Sequence, residues 1–176
     1  MRQRLLTSGA LLTLAGILLA ALVLAGCSRE KKLKIGDPAP PFTVTSLDGE
    51  TISLTAYQGK PVILRFWSTD CKFCRADTPI FNRYFDQYKK KGLRVVYINT
   101  DSTPAEVRKF VKDLDIIFPV VAQAGDLAKK YQVKVLPQTI VLDPDHRIMA
   151  AILGGVSEEE LQDLLGKYLG GKPGPG

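Results

Sequence analysis

Residues 61–67, Pro-Val-Ile-Leu-Arg-Phe-Trp, read as one buried strand, and at Cys71 the hydrophobic period changes to that of a helix. Phe73, Ala76, Ile80, Phe81, Tyr84, Phe85 and Tyr88 then recur at threes and fours, with Tyr84 and Tyr88 expected in the core. Lys89-Lys90-Lys91-Gly92 closes that helix, with solvated cations in the last turn and glycine beyond it. The same change of period recurs downstream. Residues 93–99 form a strand, and Ser102-Thr103-Pro104 opens a helix with Val107, Phe110, Val111 and Leu114 inward. A short helix follows over 126–131. Strands over 138–142 and 147–153 flank the turn Asp143-Pro144-Asp145-His146, and Ser157 caps a last helix with Glu158, Glu159 and Glu160 in its first turn. Strands alternating with helices indicate an α/β domain with helices on both faces of a sheet. The short turn before residue 147 makes the final strand pair antiparallel, so the sheet is mixed. Ahead of this frame, 42–45 and 51–54 read as a β-hairpin around Asp48-Gly49.

The N-terminus has a different character. Arg2 and Arg4 precede an uncharged apolar stretch, residues 5–25, which ends in small residues before Cys27. A positive start, an apolar run and small residues describe an export signal. The run is also long enough for an uncleaved membrane anchor, which needs about 20 apolar residues. Leu24-Ala25-Gly26-Cys27 resembles the lipobox of bacterial lipoproteins, which implies a signal peptide over 1–26 and a lipid on Cys27. Residues 27–34 then form a polar tether, 35–170 the folded domain, and the Gly/Pro-rich stretch 171–176 a disordered tail. Without residues 1–26, 22 basic and 18 acidic side chains remain, a charge of +4. No basic block with interleaved aromatics is present, so nucleic acid is not an expected partner. A monomer is expected.

With Cys27 assigned to the lipid, two of the three cysteines remain, Cys71 and Cys74. An exported compartment permits disulfides, but a pair three residues apart closes almost no loop and adds little stability by loop entropy. Such a pair is expected to serve chemistry. Cys71 falls where a strand hands over to a helix, and unpaired N–H groups and the macrodipole there stabilise a thiolate. Cys74 lies one turn later on nearly the same face. The spacing therefore supplies an attacking and a resolving thiol for disulfide exchange.

These residues resemble the thioredoxin-fold thiol-disulfide oxidoreductases, in particular the membrane-tethered ResA/TlpA-like group of the AhpC/TSA–redoxin superfamily. Cys71-x-x-Cys74-Arg75-x-Asp77-x-Pro79 resembles that group's C-x-x-C-R-x-E-x-P signature, and Val135-Leu136-Pro137-Gln138-Thr139 its cis-proline loop. Gly36-Asp37-Pro38-Ala39-Pro40 with Phe42, then Gly49, Leu54 and Gly59-Lys60-Pro61, resembles its N-terminal extension. The resemblance implies a thioredoxin fold with a mixed central sheet and an N-terminal β-hairpin extension. Cys71 would attack and Cys74 would resolve, with the redox-active disulfide in place of any cofactor or metal. Leu136, Pro137, Gln138 and Phe73 would dock substrate, Gln138 altering the rim of the groove, with Trp67 a wall near the disulfide. Asp77 would tune the thiols or pass a proton, or else be a solvated helix charge. Asp70, where the group often has an aromatic residue, disfavours the Cys71 thiolate, while Lys72 favours it. The implied task is reduction of disulfides in exported proteins, apocytochrome c among them, with a membrane thiol-electron transporter as donor.

Two other functions compete. A peroxiredoxin-like thiol peroxidase shares the extension, but P-x-x-x-T-x-x-C is absent, with Ser68 and Leu64 at the threonine and proline positions before Cys71. The other is a copper-binding or redox-inert binding module; a copper-chaperone relative would use two cysteines and a histidine, but with a longer cysteine spacing and another motif around the histidine, and the single histidine here, His146, is expected as a solvated turn residue.

Overall fold

The computed structural model describes residues 32–170. The signal peptide, Cys27, most of the tether and the 171–176 tail expected from the sequence lie outside them. No helix among the described residues is long and apolar enough to cross a membrane.

A five-stranded mixed sheet has the order β5-β4-β3-β6-β7. Here β3 is Val62–Trp67, β4 Arg94–Asn99, β5 Val120–Val121, β6 Gln138–Leu142 and β7 Ile148–Leu153. β3, β4 and β5 run parallel, and β6 and β7 antiparallel to their neighbours. A separate hairpin pairs β1 (Thr43–Thr45) with β2 (Thr51–Ser53). The helices are α1 (Lys72–Tyr88), α2 (Pro104–Asp113), α3 (Gly125–Lys130) and α4 (Glu158–Leu169). β5 is the strand absent from the sequence reading. It is two residues long, too short to show a period, and is defined by pairing Tyr97 and Ile98 of β4.

β3 is apolar throughout, save Arg65, because both sheet faces are covered. Ile63 and Trp67 pack with Phe81 and Tyr84 of α1, Phe110 of α2 and Leu161 and Leu165 of α4. Val62, Leu64 and Phe66 face the other way, onto Phe42, Ile52, Leu127 and Tyr131. The alternation of side chains along a strand thus divides the core in two, and Arg65 falls on the α1/α4 side. α1 runs on through Pro79. Its buried face carries Cys74, Asp77, Thr78, Phe81, Tyr84 and Tyr88. Phe73 and Ala76, part of the apolar stripe in the sequence, are exposed.

Two helices open on capping boxes. Thr103 and Glu106 exchange bonds at the start of α2, and at the start of α4 Ser157 Oγ accepts the Glu160 N–H at 3.1 Å while the Glu160 carboxylate accepts the Ser157 N–H at 2.8 Å. Ser157→Ala is expected to cost about 1 kcal/mol and to lower the melting temperature by about 3 °C, as thermal unfolding followed by circular dichroism would show.

The Leu33 N–H bonds to Gln132 Oε1 at 3.0 Å, and the chain then reaches the start of β7. Gly36 N–H bonds to the Ile148 carbonyl at 2.8 Å and Ile148 N–H to that of Asp37 at 3.0 Å, at the start of β7. The other end of β7, Leu153, pairs with Gln138 beside Pro137. That separation is about 17 Å at strand rise. The entering segment also corrects the expectation for His146. This residue is only 7% exposed, because the extension folds over the turn. The His146 carbonyl accepts the Ala39 N–H at 2.8 Å, and Pro38 bridges Arg147.

Candidate active site

β3 ends at Trp67, and the four residues that follow are held by the neighbouring loop. Thr100 N–H bonds to the Trp67 carbonyl at 3.2 Å, and Ser102 Oγ accepts the Thr69 N–H at 3.3 Å and one from Asn99 Nδ2 at 3.0 Å. This fixes Cys71 as the N-cap residue of α1. Its Sγ accepts the Cys74 N–H at 3.1 Å, so one of the orphan donors of the helix start already points at the sulfur. Cys71 and Cys74 form a disulfide with their Cα atoms 5.2 Å apart. The two sulfurs are unequal: Cys71 is half-buried at the surface, whereas Cys74 is 1% exposed and belongs to the α1/α4 core. Trp67 is wholly buried in that same core, 4.2 Å from the Phe110 ring. Asp70 and Lys72 are both exposed, so their opposed charges act on Cys71 through water and are screened by salt.

The Leu136–Pro137 bond is cis, as the resemblance implied. The Gly154 N–H holds the Pro137 carbonyl at 2.9 Å. Gln138, expected on the rim of the groove, is buried within β6, where it pairs with Phe66 and Leu153. Large apolar side chains instead stand exposed on the segments around it: Phe73 at 69%, Val135 ahead of the cis bond and Leu153 at the end of β7. Among the described residues no three His, Cys, Asp or Glu side chains gather as metal ligands.

Asp77 is not a solvated helix charge. It is 6% exposed, and its Oδ2 accepts from Arg65 Nη2 and from the Val156 N–H at 3.2 Å. Arg65, fully buried, also donates from Nη1 to Thr139 Oγ1 at 2.6 Å and to the Gly154 carbonyl at 3.0 Å, and lies 5.1 Å over the Phe81 ring. Burial pushes the Asp77 carboxyl above its ordinary value of 3.8, and the Arg65 guanidinium and the Val156 N–H pull it part of the way back. Arg65 is the site residue that reading the motifs missed. A charge inside an otherwise apolar strand was the available signal, since a doubly buried cation needs a partner.

The AhpC/TSA family model matches residues 35–151. The chain belongs to the AhpC/TSA family. Within the family it is 37% identical over 158 residues to the thiol-disulfide oxidoreductase ResA of Bacillus cereus, covering 89% of this chain and 91% of that one. The ResA of Bacillus thuringiensis is 38% identical over 141 residues, covering 80% and 82%. Among solved structures, a chain assigned as the thiol:disulfide interchange protein DsbE of Chlorobium tepidum superposes with a TM-score of 0.73 at 28% identity, covering 78% of this chain and 99% of that one. The thioredoxin domain of a Bacteroides vulgatus thiol-disulfide oxidoreductase gives 0.69 at 27% identity, covering 78% and 99%. The fold is that of thioredoxin, and with its paired cysteines at the start of α1 the chain is a thiol-disulfide oxidoreductase.

Proposed function

We propose that this chain is an exported, lipid-tethered reductase of disulfides in other exported proteins. The observation that carries the reading is the asymmetry of the pair: Cys71 reaches the surface at a helix N-terminus, and Cys74 is buried one turn behind it. In the reduced protein the Cys71 thiolate, accepting the Cys74 N–H, attacks a substrate disulfide. A mixed disulfide forms and the first substrate sulfur leaves as thiolate. Cys74 then gives up its proton and attacks Cys71 Sγ, which releases the second substrate sulfur and leaves the Cys71–Cys74 disulfide. Cys74 has no contact with water, so its proton needs an acceptor inside the protein. Asp77, three residues on and buried beside it, fills that role. Its raised affinity for a proton brings it nearer to a thiol.

Phe73, Val135 and Leu153 give a polypeptide an apolar place to lie against, beside the backbone of Leu136. The identity to the ResA proteins supports a substrate such as apocytochrome c, whose C-x-x-C-H cysteines must be reduced before haem attachment, and a membrane thiol-electron transporter as donor. The lipobox-like Cys27 supports tethering.

Equilibration of the full-length chain against thiol buffers tests the direction. A potential near or below that of thioredoxin, roughly −270 mV, is expected of a reductase. A value near roughly −120 mV, that of a strong oxidant, would make disulfide formation the task.

A further inference from the structure

The acceptor assigned to the Cys74 proton is itself held in an unusual way. Asp77 uses one oxygen, Oδ2, for both of its partners, Arg65 Nη2 and the Val156 N–H. The other oxygen, Oδ1, is buried with no hydrogen-bond partner among the described residues. An unmet carboxylate oxygen in a dry core costs free energy unless something uses it. Helical side chains lean toward the N-terminus of their helix, so the Asp77 carboxyl leans toward the turn that carries Cys74.

Arg65 fixes this arrangement from the opposite element. It sits on β3, its Nη1 is taken up by Thr139 on β6 and the Gly154 carbonyl, and both groups flank Pro137, whose carbonyl the Gly154 N–H holds. The guanidinium therefore has little freedom to swing away. We propose that Arg65 is a positioning residue for the resolving step: by binding Asp77 through Oδ2 it keeps the carboxylate ionised and leaves Oδ1 as the vacant acceptor for the Cys74 proton. The proposal rests on the reading of Asp77 as that acceptor. The balance is simple. The S–H proton of Cys74 passes to Asp77, the freed electron pair forms the bond to Cys71 Sγ, and the substrate sulfur leaves with the electrons of the bond that breaks.

The groups that face Asp77 are few. β3 supplies Arg65 and β4 the Tyr97 phenol, which burial pushes up, out of any physiological titration, while Cys74 lies one helical turn back on α1. β6 and the segment before α4 offer the Thr139 hydroxyl, the Gly154 carbonyl and the Val156 N–H, none of which titrates. Loss of the guanidinium would leave the buried carboxylate without its counter-charge. It would hold its proton to higher pH and be unavailable as a base at neutrality.

The test uses the full chain, reduced beforehand, with Cys27→Ser throughout so that only the two site thiols react. 5,5′-Dithiobis(2-nitrobenzoate) releases one thionitrobenzoate when Cys71 attacks and a second when Cys74 resolves, so the two steps appear as separate phases. Arg65→Met is expected to raise the pH midpoint of the second phase by about one to three units and to leave the first phase where it is. Arg65→Lys, which keeps the charge, is expected to stay near the parent midpoint. Adding Arg65→Met to Asp77→Asn is expected to change nothing further, because Arg65 acts through Asp77. If Arg65→Met does not fold, Arg65→Gln keeps a donor without the charge and carries the same expectation. A second-phase midpoint unmoved in the uncharged variant, with Asp77→Asn slow, would overturn the role of Arg65 and leave that of Asp77 standing. A second phase unaffected by Asp77→Asn would overturn both.

Discussion

Cys71→Ser will abolish disulfide reduction, whereas Cys74→Ser will keep the first chemical step and stop at the second. A serine hydroxyl at residue 71 would still accept the Cys74 N–H but would stay protonated, and it cannot form a bond to a substrate sulfur that thiols would later exchange. The expected loss is about 10⁴-fold or more, the scale on which removal of a covalent nucleophile acts. In Cys74→Ser the surface thiol still attacks. The mixed disulfide then has no buried thiol one turn away to break it, so one substrate molecule stays bound to each chain. Incubation of reduced Cys27→Ser/Cys74→Ser chain with a C-x-x-C-H disulfide peptide should yield a covalent adduct, visible by intact mass and dissolved by dithiothreitol. Cys27→Ser/Cys71→Ser should give none. Adducts on Cys71→Ser and none on Cys74→Ser would reverse the assignment, and would mean that the burial of Cys74 does not persist in the reduced protein.

The division between legible and hidden features follows from how each is encoded. The strand–helix handover at Cys71 could be read because it rests on local signals: an apolar strand, a two-thiol spacing and a helical period, all within 28 contiguous residues, 61–88. The Ser157 cap could be read for the same reason. Asp77 had two readings at that level because its environment comes from elsewhere, from a strand twelve residues before it and a loop seventy-nine residues after it. Arg65 was visible only as a breach of pattern, and its meaning depended on knowing which face of β3 lies under α1. His146 was misjudged for a related reason. Its own four-residue turn is of a solvent-facing kind, but residues 36–39 cover it from more than 100 positions away. Gln138 follows the cis-proline in sequence, yet β6 turns its side chain into the structure. Local chemistry was therefore written in the chain in readable form, and the burial of polar groups was not.

The Arg65–Asp77 pair should also dominate the stability of the site. Asp77→Ala leaves a fully buried guanidinium with no counter-ion, and the expected cost is about 3–5 kcal/mol. Asp77→Asn keeps a carbonyl oxygen for Arg65 and should cost much less. The pH dependence separates the two forms further. Folding raises the Asp77 carboxyl above 3.8, so its contribution is full below that pH and is lost as pH rises through the folded value. The wild-type chain should therefore lose ground against Asp77→Asn as pH rises across that window, a trend that urea unfolding at several pH values would follow. Replacing both partners with apolar residues, Arg65→Met with Asp77→Leu, removes both desolvation penalties together. That variant is expected within about 1 kcal/mol of wild type or above it, because buried ion pairs are commonly no better for stability than well-packed apolar groups. A double variant that folds stably but resolves mixed disulfides slowly would show that the core under the disulfide keeps its charges for proton transfer. A double variant as unstable as Asp77→Ala would instead make the pair a structural requirement of the β3–α1 contact.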